Sequence, residues 1–298
     1  MPRYLDPKAD VVFKKIFGEH PHLLKSFLNA VLPLKDDGQI VELTYLSNEQ
    51  APKIPALKRT IADVRCTDQQ GRVFIVEMQI EWTDSFKQRL LFEAGQALVK
   101  QLKNGEQYHL LQPVYGLGLI AATFDPTEQW YHHYQLVNLD KHPREIIEHL
   151  QLIFIELPKF PIQSTSEKRL RLLWLRFMRE INRTTTYVPE ELSTVPEIKE
   201  ALRLAEEAAY SNAELDAYEW YLDAVRTEKT LIVASYEEGL VEGKAEGRVE
   251  GLQEGEQKGE QKKARAVALN MRAAGIEMTM IMQCTGLSEV EIRDIEQK

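Results

Sequence analysis

Three polar residues stand out because their company is apolar: Asp63, Glu77 and Gln79 lie among Ile61, Val73, Phe74, Ile75 and Val76. Residues 60–67 and 72–82 are rich in β-branched and aromatic types, and Asp68-Gln69-Gln70-Gly71 between them is a compact turn signal. A hairpin turning there brings Asp63 alongside Glu77. Side chains two apart on a strand share a face, so Glu77 and Gln79 point together. An unpaired carboxylate inside a buried sheet is strongly unfavourable, so something must hold these acids. One candidate is a hard divalent cation bound through oxygen ligands. The other is an ion pair to Arg59, Arg65 or Arg72. Spacing alone leaves both open.

The elements that position these residues follow from hydrophobic period. Val12, Phe13, Ile16, Phe17, Leu23, Leu24, Phe27 and Leu28 recur at helical steps, which predicts a helix over 8–32 that Pro33 ends. A strand is expected at 40–46, and a helix from Phe86 to Leu102 that Asn104-Gly105 stops. Val114 to Thr123 and Gln151 to Leu157 are nearly continuous in apolar residues, as in strands buried on both faces. His132 and His133 form no ligand spacing with the acids and read as surface. Together these imply a mixed α/β core over residues 1–160.

From Glu167 the pattern is helical, with Leu170, Leu173, Trp174, Phe177 and Ile181 on one face, and residues 161–237 read as an α-helical appendage. Residues 238–261 hold a four-residue repeat, Gly239 to Gly259, the first five glycines each preceded by glutamate. Glycine inside a helix costs about 1 kcal/mol relative to alanine, and glutamates four apart repel. The repeat therefore reads as a marginal solvated helix or linker, or as a ridge that a second helix could approach. Residues 262–298 form a short helical tail in which Ser288 and Glu291 make a capping box. Its shape is helix-turn-helix-like. Yet segment 276–298 has basic Arg293 and Lys298 against acidic Glu277, Glu289, Glu291, Asp294 and Glu296, so packing or self-association is expected rather than groove binding.

Composition sets outer bounds. The 298 residues include 37 basic and 46 acidic side chains, a net charge of −9, which argues against coating nucleic acid by bulk electrostatics. Residues 1–160 carry 18 basic and 20 acidic side chains and the remainder 19 and 26, so the first part is free to build a local basic surface. Cys66 and Cys284 stand far apart without any CxxC pair, which argues against a disulfide framework and a structural zinc site. The longest apolar run, Val114 to Phe124, is too short for a bilayer, and Met1 to Asp10 lacks the apolar stretch of a signal peptide. A cytoplasmic protein with no membrane partner is expected.

The Asp63, Glu77, Gln79 pattern recurs with "DVVFKKIFG" at 10–18, "ADVRCTDQQGRVFIVEMQ" at 62–79, "GQALVKQLKNGEQY" at 95–108, "IELPKF" at 155–160, the "EEGLVEGKAEG" repeat and the terminal "TGLSEVEI". In these respects the chain resembles the PD-(D/E)XK nuclease superfamily and, within it, the Rpn family of recombination-promoting nucleases, also labelled transposases. The resemblance implies a restriction-endonuclease-like α/β core followed by an α-helical C-terminal region. It implies a DNA endonuclease acting in recombination or mobile-element processes, with Mg²⁺, or Mn²⁺ or Ca²⁺, held by Asp63, Glu77 and the Met78 carbonyl. Asp10 matches an accessory acid. Gln79 stands where the superfamily has lysine; an amide orients water but carries no charge, and Lys14 is one source of the missing cation. Gln101, with Gly105 and Tyr108, matches the family's "Q…G…Y" pattern, either supporting the site or capping a helix. The apolar stripes after Glu167, with Leu269, Ile281, Leu287 and Ile292, need a partner surface, so a homodimer through the C-terminal helices is expected. The competing function is a catalytically weak regulatory or interaction protein that keeps the nuclease fold. A complete transposase is less supported, because the tail lacks a basic face for end recognition.

Overall fold

The computed structural model describes residues 2–47, 49–50, 60–61, 63–141, 145–161 and 169–296; Arg59, Ala62, Glu167 and Lys298, named above, lie outside the described residues. The chain divides into two compact units, Met1–Thr227 and Glu228–Lys298. In the first unit the helix expected over 8–32 is three pieces: α1 (Asp10–Phe13), a widened π turn (Lys14–Gly18) and α2 (Pro21–Val31). Pro21 explains the interruption, since it lacks a donor N–H and is suited to a first helical turn. Strands β1 (Leu43–Tyr45), β2 (Glu49–Gln50), β3 (Thr60–Ile61), β4 (Val64–Asp68) and β5 (Val73–Gln79) follow. Helix α3 (Ser85–Val99) crosses over to β6 (Val114–Ile120), and β7 (Tyr131–Val137) and β8 (Ile146–Glu156) complete the strands.

Six of them form one sheet in the order β1-β4-β5-β6-β8-β7, with β5, β6 and β8 parallel and the other pairings antiparallel. The β4–β5 hairpin turns where the sequence places it, with Gly71 at φ 78°. That left-handed backbone favours glycine.

The sheet is covered on both faces. Val64, Cys66, Phe74, Val76, Leu117, Leu119, Ile153 and Ile155 face the large core with α1, α2, α4 (Arg169–Glu180) and α5 (Pro196–Leu204). Trp174 of α4 lies 5.6 Å from the Phe17 ring and 5.7 Å from Phe27. Its indole N–H donates to Ser26 Oγ at 3.1 Å. The helices after residue 160 are therefore not an appendage to a finished core. They complete it: Leu173, Trp174, Phe177, Ile198 and Leu202 share one buried cluster with α1, α2 and the sheet.

The opposite face meets α3. Phe86, Leu90, Ala94 and Ala97 recur at helical spacing and pack on Val73, Ile75, Val114 and Phe154. Gly116 and Gly118 make room for this contact: a Cβ at 116 would stand 2.9 Å from Leu152 Cδ2 and 3.1 Å from Leu90 Cγ, and one at 118 would stand 2.9 Å from Phe86 Cε1.

The first turns of α6 (Asn212–Ala273) bind the N-terminal segment: Tyr218 Oη accepts from the Asp6 N–H at 3.1 Å, and Glu214 pairs with Lys15 at 2.7 Å. The glycine repeat continues as helix, and none of its six glycines meets a neighbour within 4 Å of an added Cβ. In the second unit, α7 (Met278–Thr285) and α8 (Glu289–Glu296) close a small core of Ala268, Ile281 and Ile292. Ser288 and Glu291 form the expected capping box. Among the described residues no helix is long and apolar enough to cross a membrane.

The seat of α3 is testable. Gly118→Ala is expected to lower unfolding stability by about 1–3 kcal/mol, the usual range for overpacking. Urea denaturation reads it, and an unchanged midpoint would contradict the close approach.

Candidate active site

Strand register puts the two acids together. Val64 pairs with Val76, so Asp63, one residue earlier, stands opposite Glu77. The Asp63 N–H donates to Glu77 Oε1 at 3.2 Å, and the Met78 N–H donates to Asp63 Oδ2 at 2.6 Å. Alternation sends Val76 into the large core and turns Glu77 and Gln79 toward α3, at the C-terminal end of β5.

Sequence reasoning missed what α3 brings there. Arg89 Nη2 donates to Gln79 Oε1 at 2.7 Å and lies 3.7 Å from Glu77 Oε2. One turn on, Glu93 is buried at 1% exposure, and its charge raises the pKa of Glu77. Tyr221, from the start of α6, lies in the field of Asp10 and Asp63 and is also raised, chiefly by burial. The available signal was the alternation Val114-Tyr115-Gly116-Leu117-Gly118, which marks a strand against which a helix sits closely.

The expected residues are placed as follows. Asp10 and Lys14 form a half-exposed ion pair at 2.7 Å, and both charges act on Asp63. Gln79 is engaged at both ends of its amide, accepting from Arg89 and donating to the Glu81 carbonyl at 2.7 Å. Gln101 is not brought to the acids. Its amide clasps the backbone of Gln112 through bonds of 2.9 and 2.8 Å, just before β6 begins. That end of β6 pairs with Val73, four residues and about 13 Å from Glu77 at strand rise. Of the arginines considered as partners, Arg72 pairs with Asp68 at 2.6 Å and Arg65 donates to the Ser47 carbonyl at 3.4 Å. His132 is a correction: it is buried, with Nε2 2.8 Å from Glu156 Oε1, because β7 pairs with β8 and turns it inward.

Both acids are pushed well above the ordinary carboxylate range. Burial is the main cause for each; Asp10 adds to it for Asp63, and Asp63 and Glu93 add to it for Glu77. The Met78 N–H, Lys14 and Arg89 pull Asp63 partly back, while Arg89 and the Asp63 N–H do so for Glu77. A buried and a partly buried carboxylate side by side are oxygen donors of the kind a hard divalent cation takes. Among the described residues no three His, Cys, Asp or Glu side chains form a ready cage. This donor set fits an ion that keeps several of its own waters and takes one or two carboxylates, as Mg²⁺ does.

A mixed sheet with an acidic hairpin at the end of its central strand, flanked by helices on both faces, defines a PD-(D/E)XK-type α/β fold. The chain belongs to the PD-(D/E)XK nuclease family transposases, whose family model matches residues 7–235. No curated protein and no solved structure matches it.

The raised acids make stability depend on pH. Their folded pKa values exceed the unfolded ones, so the folded state holds protons more tightly, and metal-free stability falls as pH rises above the ordinary carboxylate range near 4. Glu77→Gln keeps the shape and removes the group that folding must keep protonated at high pH. It is expected to stabilise the metal-free protein at pH 8 by on the order of 1 kcal/mol, with little gain at pH 4. Thermal melts in EDTA at the two pH values check this; equal gains would remove the electrostatic explanation.

Proposed function

We propose that this protein is a divalent-metal-dependent DNA endonuclease of the Rpn type, acting in recombination or mobile-element processes. The observation that carries the reading is the pairing of Asp63 with Glu77 across the buried hairpin, with Arg89 beside them. Asp63, Glu77 and the Met78 carbonyl are the groups that would hold Mg²⁺, or Mn²⁺ or Ca²⁺. The ion would supply a more acidic bound water and electrophilic stabilisation of the phosphate. Asp10, at the start of α1, serves as the accessory acid, and its charge is kept in place by Lys14. In the reaction a water oxygen bonds to phosphorus and gives up a proton to solvent, one P–O ester bond breaks, and the departing oxygen takes up a proton from solvent. Gln101 supports the fold at the far end of β5.

The alternative is a regulatory protein that retains the fold without turnover. Its specific support is Gln79, an uncharged residue in the lysine's place.

Incubation with supercoiled plasmid, with each divalent ion and with EDTA, separates the two. Divalent-dependent nicking by the wild type, reduced by at least about 100-fold in Asp63→Ala and Glu77→Ala, is expected, with a smaller loss in Asp10→Ala. No nicking with any ion would favour the regulatory reading, and wild-type rates in Asp63→Ala would overturn the site.

The second unit serves assembly in this reading. Leu231, Ile232, Tyr236, Leu240, Val241 and Leu252 of α6 are exposed, and a helix with glycine at every fourth position gains from a packing partner. A homodimer is expected by light scattering, weakened when residues 238–298 are deleted while DNA binding persists. A monomer in both forms would remove the assembly role.

A further inference from the structure

Resting on the nuclease reading, we propose that Arg89 delivers to the scissile phosphate the positive charge that Gln79 lacks, and that Gln79 is the residue that positions Arg89. The sequence pattern invites the view that Gln79 orients the attacking water. Its geometry argues otherwise. The amide oxygen accepts from Arg89 at 2.7 Å and the amide nitrogen donates to the Glu81 carbonyl at 2.7 Å, so the side chain bridges strand end and helix. What it turns toward a substrate is the guanidinium.

Arg89 is built for that role. Its guanidinium lies 5.0 Å from the Phe86 ring, which is buried in the α3 contact, so the charge rests on a fixed floor. The side chain stays 41% exposed while Glu77 is 7% exposed. The Arg89 side chain is thus open to solvent where it stands beside the acid pair. A planar fork suits the paired oxygens of a phosphate, and guanidinium stays protonated at any working pH, so Arg89 moves no proton and acts by charge alone. As water adds and the ester bond breaks, negative charge grows on the non-bridging oxygens, where a preorganised cation acts most strongly. Lys14 is less suited, being held by Asp10 on a different element.

The inference gives Gln79→Lys an unusual expectation. With Arg89 present, the new ammonium meets a like charge where the amide oxygen now accepts, and activity falls. In an Arg89→Ala background the same lysine supplies the missing charge from the strand, and activity returns.

Three measurements on the full chain test this. In EDTA, the salt dependence of duplex binding is expected to lose about one phosphate contact in Arg89→Ala and none in Arg89→Lys. With divalent ion, Arg89→Ala should lower kcat by about 100-fold with little change in KM, and Arg89→Lys should recover part of it. Gln79→Lys should lower wild-type activity yet raise that of Arg89→Ala. An unchanged salt slope with wild-type cleavage in Arg89→Ala overturns the proposal, as does a folded Gln79→Lys, Arg89→Ala double variant no faster than Arg89→Ala. If the wild type shows no cleavage with any of the ions, the nuclease reading fails, and the salt slope alone decides whether Arg89 meets phosphate.

Discussion

The close approach of α3 to β6 is the contact on which the site depends. Gly116 and Gly118 leave a trough in the sheet that Leu90 and Phe86 fill, and a side chain on either glycine would lift the helix. Because Arg89 and Glu93 flank Leu90 on the same helix, the depth of that trough fixes how near their charges come to Glu77 and Gln79. Two residues with no side chain thus govern the electrostatics of four that carry polar groups. Packing sets the chemistry here through geometry alone, since interiors are dense enough to transmit a displacement of an ångström.

The β4–β5 hairpin shows two ways to bury an acid. At its turn, Asp68 is fully covered and matched by Arg72 at 2.6 Å, whose Nη2 also donates to the Gly38 carbonyl. Glu156, fully covered at the end of β8, is matched by Lys159 and His132. At the open end of the hairpin the arrangement is different. Asp63 and Glu77 face each other, Glu93 adds a third acid, and Arg89 stands at 3.7 Å and half in solvent. Asp63 and Glu77 hold their protons more tightly than ordinary carboxylates, chiefly because of burial. The same hairpin thus holds one acid closed by a direct ion pair at its turn and two acids side by side at its open end.

Most of this hairpin is legible in the sequence because it is local. The turn, the register of Asp63 against Glu77 and the common face of Glu77 and Gln79 follow from a two-residue period and one glycine. The contributions of α3 are not legible in the same way. Periodicity identifies Phe86, Leu90 and Ala94 as the buried stripe, yet it does not say which strand end lies beneath Arg89; the crossover from β5 to β6 decides that. His132 misled for a similar reason, since its partner Glu156 is 24 residues away on another strand. The helices α4 and α5 read as an appendage because amphipathic helices announce a buried face without naming what buries it. In the fold that surface is Phe17 and Phe27, more than a hundred residues earlier.

The clasp between the chain's beginning and α6 bears on where a viable gene could be cut. Leu5 bonds to the Ala205 carbonyl, Asp6 to Tyr218 and Lys15 to Glu214, so the segment carrying Asp10 is anchored by residues about two hundred positions later. A reading frame interrupted near residue 160 would still encode both hairpin carboxylates, Arg89 and the whole six-stranded sheet. Its product would nonetheless lose Trp174 from the core and the anchors of α1. The coding length that this fold needs therefore extends past Tyr218, and a nonsense mutation between 160 and 217 would be expected to yield a chain that does not fold rather than a smaller working protein.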